Sequence, residues 1–200
     1  MGRDITKCHP ELQQKCAQLI EKCAKKGLNI AVGECYRTVE EQNELYAQGR
    51  TKTGNIVTNA KGSDYSSHHQ WGTAFDFYRN DGKGAYNDYD GFFGKVGSVG
   101  KSLGLEWGGD WTSPVDKPHF QLPYWGSTTA ELKRLYGTPE EFKKTWEAEE
   151  MEKIYNWTLE VPKWARPTVQ KLLDKGYLKG NDKGELELTY SMLKLLVVND

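Results

Sequence analysis

Apolar residues recur at helical or strand spacing along most of the chain, and this pattern predicts the main elements. Residues 10 to 26 form an amphipathic helical pattern, with Pro10 suited to the first turn and Gly27 to the end. The next segment, LNIAVGECYR, is apolar and typical of a buried strand. TVEEQNELYAQGR then starts with a threonine cap and acidic residues, which favours a helix. Arg37 therefore lies where a predicted strand leads into a helix.

The middle of the chain combines polar loops with short strands. Residues 50 to 68 are rich in Gly, Asn, Ser and Thr, which predicts a surface loop. Gly72 to Tyr78 alternates as a strand does, and His119 to Leu122 predicts another strand. The glycine-rich stretch from Asp81 to Gly100 predicts a loop that leads into a short helix. We therefore predict an α+β fold, a small antiparallel sheet with helices packed on one side.

The sequence changes character towards its C-terminus. From Thr128 it is helical and charged, and PKWARPTVQKLLDKGYLKG and LTYSMLKLLVVND each place apolar residues at i, i+3 and i+4. These segments predict a small two-helix module, which at about 45 residues is marginal as an independent fold. We predict a larger domain over residues 1–146, followed by a linker and this module over residues 147–200.

Charge and hydropathy exclude several classes of partner. A formal net charge of -1 gives no overall attraction to nucleic acid or to anionic lipid. The N-terminus lacks the apolar stretch of a secretory signal, and no run approaches the roughly 20 apolar residues that span a bilayer. We expect no nucleic-acid partner, no membrane insertion, and synthesis in the cytoplasm without a signal peptide.

Four cysteines, at positions 8, 16, 23 and 35, make an even count. Cys16 and Cys23 lie a heptad apart in the first helical pattern, where a thiol behaves as a small apolar core residue. No C-x-x-C pair is present to suggest a cysteine zinc site. The pattern favours buried free thiols, with a disulfide or a structural metal as alternatives.

The segment SSHHQWGTAFDFY contains a carboxylate in an unusual setting. In a strand, Gly72, Ala74 and Asp76 share one face, and Thr73, Phe75 and Phe77 share the other. Small neighbours beside an inward-facing acid leave room for a metal and a substrate. His69 is too far along the chain to reach the same ion from a regular strand, so it must lie on a loop that folds back at Gly72.

A second segment, EWGGDWTSPVDKPHFQL, places Asp116 three residues before His119. In a regular strand these two side chains would face opposite ways, but a turn at Lys117 and Pro118 lets both reach one site. Each piece alone is weak, because a histidine beside an aspartate is more often a solvated or hydrogen-bonded pair. Two histidines and a carboxylate together would leave a tetrahedral zinc ion an open position for water.

Both segments carry the motifs of a known family. SSHHQWGTAFDF matches the S-x-H-x-x-G-x-A-x-D signature of zinc peptidases of the D-alanyl-D-alanine carboxypeptidase type, and DKPHF matches their acid-x-x-His element. Together with ECYRTVEEQNELYAQGRT, these segments resemble the L-alanyl-D-glutamate endopeptidases of phage endolysins and bacterial autolysins. The resemblance runs from about Pro10 to Leu122.

This resemblance implies roles for individual residues. His69, Asp76 and His119 are the implied zinc ligands, and Asp116 is the implied general base. Arg37 takes the place of an arginine that grips a substrate carboxylate or polarises the scissile carbonyl, with a salt bridge to Glu34 or Glu40 as the alternative. Ser67 is expected to donate a hydrogen bond within the site. Gln42 is expected either to contact the substrate or to support the Arg37 helix. His68, adjacent to the implied ligand, could shift the register.

The implied function is cleavage of peptidoglycan stem peptides between L-alanine and D-glutamate, and a phage endolysin that acts on the wall after release is favoured. One alternative is a D,D-carboxypeptidase or dipeptidase that uses the same metal site on the far end of the stem peptide. Another is a zinc-containing wall-binding module that has lost hydrolysis, although the retained Asp116 counts against it. The C-terminal module resembles helical modules appended to phage lytic enzymes, and wall binding, self-association and simple stabilisation remain open for it. The sequence does not fix the oligomeric state.

Overall fold

The structure is a computed structural model that describes residues 2–163 and 165–198, without the side chains of residues 147–152, 191, 194 and 198. Trp164, in the first predicted C-terminal helical segment, lies outside the described residues. The chain divides into two compact units, Met1–Lys143 and Lys144–Asp200. No helix among the described residues is both long and apolar enough to cross a membrane.

The first unit is built on a four-stranded antiparallel sheet. Its strands are β1 (Ile30–Val32), β2 (Ala74–Arg79), β3 (Glu106–Trp107) and β4 (His119–Gln121), in the order β1-β2-β4-β3. The predicted strand over residues 28 to 37 is much shorter than expected, because regular pairing ends at Val32, although Gly33 and Glu34 still exchange backbone hydrogen bonds with Asp76. The two-residue β3, which the sequence pattern did not indicate, closes the sheet beside β4.

Two helices cover one face of this sheet, α1 (Pro10–Lys25) and α3 (Phe92–Ser102). They share a core with the strand residues Phe75, Phe77 and Phe120. The sequence predicted a glycine-rich loop from Asp81 to Gly100 that leads into a short helix; a helix is present, but it already begins at Phe92, has 11 residues and includes Gly100. A Cβ at that position would lie 2.2 Å from the Phe120 ring, so the glycine serves close packing rather than a loop.

The remaining helices of this unit are α2 (Val39–Ala47) and α4 (Ala130–Tyr136), and α5 (Pro139–Glu152) begins in this unit and ends in the second. Thr38 caps α2 as predicted: its side chain accepts from the backbone N–H of Glu41, and the Glu41 side chain accepts from that of Thr38. This capping box fixes the chain direction directly after Arg37.

All four cysteines are buried and free, in agreement with the sequence interpretation. Cys16 and Cys23 line the core side of α1, and Cys8 and Cys35 complete the same cluster. Burial raises the pKa of the Cys16 thiol to about 12 and that of Cys23 to about 11, so both stay protonated. The thiols therefore serve as apolar packing.

The second unit has its own small core. Helices α6 (Arg166–Asp174) and α7 (Tyr190–Val198) carry the two predicted helical patterns, and a two-stranded antiparallel sheet joins β5 (Ile154–Tyr155) to β6 (Leu188–Thr189). Strand propensity did not reveal this ribbon, because each strand has only two residues. The buried residues of the core of this unit include Tyr155, Val161, Val169 and Leu193. The α+β prediction with a small C-terminal helical module is confirmed.

Candidate metal centre and active site

Two strand residues face each other on the side of the sheet opposite the helices. Asp76 on β2 and His119 on β4 are partners in the antiparallel register, and His119 Nδ1 lies 3.2 Å from Asp76 Oδ1. Their neighbours Phe75 and Phe120 point into the core, so strand alternation turns Asp76 and His119 away from it. The Asp76 carboxylate, which the sequence predicted on the face opposite the apolar core, therefore contacts the His119 ring directly.

His69 reaches the same carboxylate from a loop. Its Nε2 lies 3.4 Å from Asp76 Oδ1, and its Nδ1 lies 2.8 Å from the carbonyl oxygen of Cys35. A carbonyl only accepts, so Nδ1 carries the proton and Nε2 presents its lone pair to the site. Gly72 has a φ of 65°, a left-handed conformation that suits glycine, and it turns the loop back as expected.

His69, Asp76 and His119 each offer one ligand atom, and these atoms all lie within 4.8 Å of one another. Within the described part of the chain, this is the one group of histidine, cysteine and acidic side chains that converges in this way. Imidazole nitrogen and carboxylate oxygen are ligands that zinc accepts. The donor set and the fixed ring of His69 therefore fit a divalent metal ion.

Electrostatics keep the central carboxylate ionised. Burial alone would raise the pKa of Asp76, but the adjacent His69 and His119 outweigh it and hold this pKa well below its usual range. Burial likewise opposes the charge on His119, and its hydrogen bond with Asp76 reverses the effect and raises the pKa of His119. An anionic oxygen thus lies between two imidazoles, as a cation site requires.

Asp116 lies on the turn that precedes β4. Its backbone N–H donates to the Gly108 carbonyl at 2.9 Å, and its own carbonyl accepts from the His119 N–H at 3.2 Å. The turn at Lys117 and Pro118 expected from the sequence is present. Burial raises the pKa of the Asp116 carboxyl; His119 opposes this rise and Asp76 adds to it. A raised pKa suits a carboxylate that takes a proton near neutral pH.

The predicted substrate arginine, Arg37, is buried, and its backbone N–H donates to the His69 carbonyl at 3.1 Å. Arg37 forms an ion pair with Glu34, and its Nη1 donates to Gln42 Oε1 at 2.6 Å. The structure therefore contains the salt bridge to Glu34 that the sequence left as an alternative. Arg37 Nε has no hydrogen-bond partner among the described residues. Contact between Arg37 and substrate remains a prediction.

Gln42 is fully buried, and its amide nitrogen donates to the Ala60 carbonyl at 2.8 Å. These contacts favour support of Arg37 over direct substrate contact. Ser67 is half-buried two residues before His69, and its predicted hydrogen bond within the site remains a prediction. His68 points elsewhere: its Nδ1 lies 2.9 Å from Thr73 Oγ1, and burial lowers its pKa to about 3. The geometry favours His69 over His68 as the ligand.

The structure also reveals a chain of side chains that the sequence interpretation missed. Gln121 Oε1 lies 3.1 Å from His119 Nε2, and the Gln121 amide donates to Glu106 Oε2 at 3.1 Å. Trp111 Nε1 donates to the other Glu106 oxygen at 2.7 Å. Strand period two could have identified Gln121, because it shares a face of β4 with His119.

Comparison with known proteins places this geometry in a family. The model of the family described as D-alanyl-D-alanine carboxypeptidase matches residues 61–122, which contain all three converging side chains and Asp116. The peptidoglycan L-alanyl-D-glutamate endopeptidase CwlK of Bacillus subtilis (strain 168) is 41% identical over 123 residues, covering 57% of this chain and 72% of the relative. The chain belongs to this peptidase family. The family predicted from the motifs is thus confirmed.

Two further comparisons give weaker matches. The L-alanyl-D-glutamate peptidase of Listeria phage A118 is 32% identical over 130 residues, which are 63% of this chain and 42% of the relative. The chain thus matches less than half of that phage protein. The crystal structure of the Serratia marcescens L-Ala D-Glu endopeptidase ChiX superposes with a TM-score of 0.46 at 22% identity, over 59% of this chain and 82% of that one.

Proposed function

We propose that this protein is a zinc-dependent peptidoglycan hydrolase that cuts stem peptides between L-alanine and D-glutamate. One observation carries the proposal: His69 Nε2, Asp76 Oδ1 and His119 Nδ1 converge beside Asp116, whose pKa is raised. The choice of bond is supported by CwlK and the phage peptidase, which are both named for that bond.

His69, Asp76 and His119 would hold the zinc ion. When bound, zinc supplies Lewis acidity that polarises an amide carbonyl and lowers the pKa of a water molecule. A zinc ion held by three protein ligands rather than four would be typical of a catalytic rather than a structural site.

The protein's own side chains have separate tasks in this scheme. Asp116 would accept the proton of the attacking water and return it to the departing amine, and the pKa raised by burial suits a carboxylate that takes up a proton. Arg37 offers a planar fork of N–H donors to a substrate carboxylate, and its pairing with Glu34 and Gln42 holds that fork in place. A substrate carboxylate would compete with Glu34 for the guanidinium.

The decisive experiment is digestion of defined muropeptides followed by mass spectrometry of the fragments. Cleavage at the proposed bond releases a peptide with a new D-glutamate amino terminus. Release of D-alanine instead would identify the chain as a D,D-carboxypeptidase. Binding to walls without any hydrolysis by the zinc-loaded protein would favour the binding module.

For residues 147–200 we propose a role in holding the enzyme at the wall, with self-association as the alternative. The second unit has its own core and an open surface depression of about 600 Å³. Lys163 and Arg166 lie among the residues that line it, and they suit the carboxylates of stem peptides.

Truncation after Trp146 tests this role. The shortened chain should keep zinc and its rate on a small soluble muropeptide, but lose activity on intact walls, since tethering can be worth about 100-fold at an insoluble substrate. Lys163→Ala in the full chain should weaken wall binding with no loss on the soluble substrate. Sedimentation with purified walls measures the binding, and analytical ultracentrifugation reports self-association. Equal rates of the full and shortened chains on intact walls would refute the proposal.

A further inference from the structure

The His119 ring is held at both nitrogens. Nδ1 lies 3.2 Å from Asp76 Oδ1, and Nε2 lies 3.1 Å from Gln121 Oε1. A neutral imidazole carries one proton, so the identity of the group at Nε2 decides which nitrogen has a lone pair for a metal. That group is the end of the Gln121 amide that faces the ring.

The orientation of the Gln121 amide is fixed from its far side. Its other end lies 3.1 Å from Glu106 Oε2, and a carboxylate only accepts hydrogen bonds. The amide nitrogen must therefore face Glu106, and the amide oxygen must face His119. An oxygen at that position requires the proton on Nε2, so the proton that a metal ion would displace is the one on Nδ1, which faces Asp76 Oδ1.

Glu106 is itself restrained. Its Oε1 accepts from Trp111 Nε1 at 2.7 Å, and the Trp111 ring packs on the His119 ring with centroids 5.0 Å apart. Gln121 is fully buried, so water does not compete for these contacts. The chain from Trp111 through Glu106 and Gln121 to His119 is a continuous set of hydrogen bonds in which each donor and acceptor is determined.

We propose that Gln121 and Glu106 are positioning residues of the metal centre, which hold His119 with Nε2 protonated and Nδ1 free to bind the ion. The inference rests on the proposed zinc site. It makes the two ligand histidines opposite tautomers, because His69 donates from Nδ1 to the Cys35 carbonyl. The Cys35 carbonyl fixes the His69 ring, whereas the Gln121 side chain, which mutation can remove, fixes the His119 ring.

Zinc affinity of the full-length protein tests the proposal. Competition with a chromophoric chelator should show that Gln121→Ala weakens zinc binding by about 10-fold to 100-fold, the usual effect of removing such a partner. Glu106→Ala should weaken it by about 10-fold, and Glu106→Gln should restore much of the loss, because its amide oxygen can still accept from Gln121. The matched control is Gln13→Ala, which truncates a half-buried glutamine that donates to the Thr6 and Cys8 carbonyls.

A second measurement separates positioning from a general structural effect. Long-range ¹H–¹⁵N spectra of the zinc-loaded protein report which nitrogen of each ring carries the proton, and sequential assignment through the backbone identifies the His69 and His119 signals. The expected result is Nε2–H for His119 and Nδ1–H for His69. Thermal midpoints of the metal-free variants show whether each one is folded. If Gln121→Ala does not fold, Glu106→Ala, at the half-buried end of the chain, carries the same test.

Two results would overturn the inference: an Nδ1-protonated His119, or a zinc affinity in Gln121→Ala within about 2-fold of that of the Gln13→Ala control. Failure of the proposed function gives a different pattern. If the variants show the expected order of zinc affinities and the expected tautomers but the protein cuts no muropeptide, the proposed hydrolase function is refuted and the positioning role stands.

Discussion

Gly108→Ala should move Asp116, the proposed general base, relative to the proposed metal site while leaving the metal in place. A Cβ at this position would lie 2.4 Å from the Asp116 carbonyl oxygen, whereas ordinary contact begins at 3.4 Å, so the Asp116 turn must move by about 1.0 Å. The same Cβ would lie 3.1 Å from His119 Cβ, which requires a much smaller shift. Gly108 does not have a positive φ, so the perturbation is steric.

A displacement of about 1 Å at a reacting group can cost about 100-fold in rate, and we expect that loss in kcat/KM on a soluble muropeptide. Overpacking should also lower the free energy of unfolding by about 1–3 kcal/mol. The control is Gly94→Ala on α3, where an added Cβ has no neighbour within 4 Å. That variant should keep its rate and gain about 0.5–1 kcal/mol of stability from better helix propensity. Full activity of Gly108→Ala, or zinc loss in proportion to its activity loss, would contradict the reasoning.

Three further predictions concern charge. His119→Ala should lose zinc and activity together, and normal zinc content by atomic absorption would show that the ligand set is wrong. Asp116→Asn should keep zinc, lose about 100-fold in rate and lose the acid limb of the pH profile, because a base works only above its pKa. Retention of that limb would assign it to another group. Arg79 donates to Asp90 and thereby lowers the pKa of that carboxyl in the folded protein. The contact therefore stabilises the fold above pH about 4, the pKa of the unfolded chain, and this stabilisation is lost as the pH falls through the lower pKa of the folded state. Arg79→Met should therefore flatten the fall of the thermal midpoint below pH about 4, and an unchanged pH dependence would contradict it.

Much of the site could be predicted from local sequence because its geometry follows from strand alternation and turns. Phe75 and Asp76 alternate on one strand, so a buried Phe75 requires Asp76 on the other face. The turn before His119 follows from Pro118, which cannot continue a regular strand from Asp116. The helix after Arg37 follows from the Thr38 cap and its acidic first turn.

The features that sequence reasoning missed depend on long-range contacts. The helix has a glycine at position 100 because the ring of Phe120, twenty residues away along the chain, occupies the space that a side chain would fill. The pairing of β3 with β4 brings Glu106 opposite Gln121, and nothing local to either residue indicates that partner. Propensity describes segments of the chain, whereas these contacts are set by which segments pack together.

Two buried glutamines support the two charged parts of the site in the same way. Gln42 turns its amide oxygen to Arg37 and its nitrogen to the Ala60 carbonyl, and Gln121 turns its oxygen to His119 and its nitrogen to Glu106. In each case an obligate acceptor on the far side fixes the amide, so the oxygen must face the functional group. An amide does not titrate, so neither support changes as Asp116 gains or loses its proton.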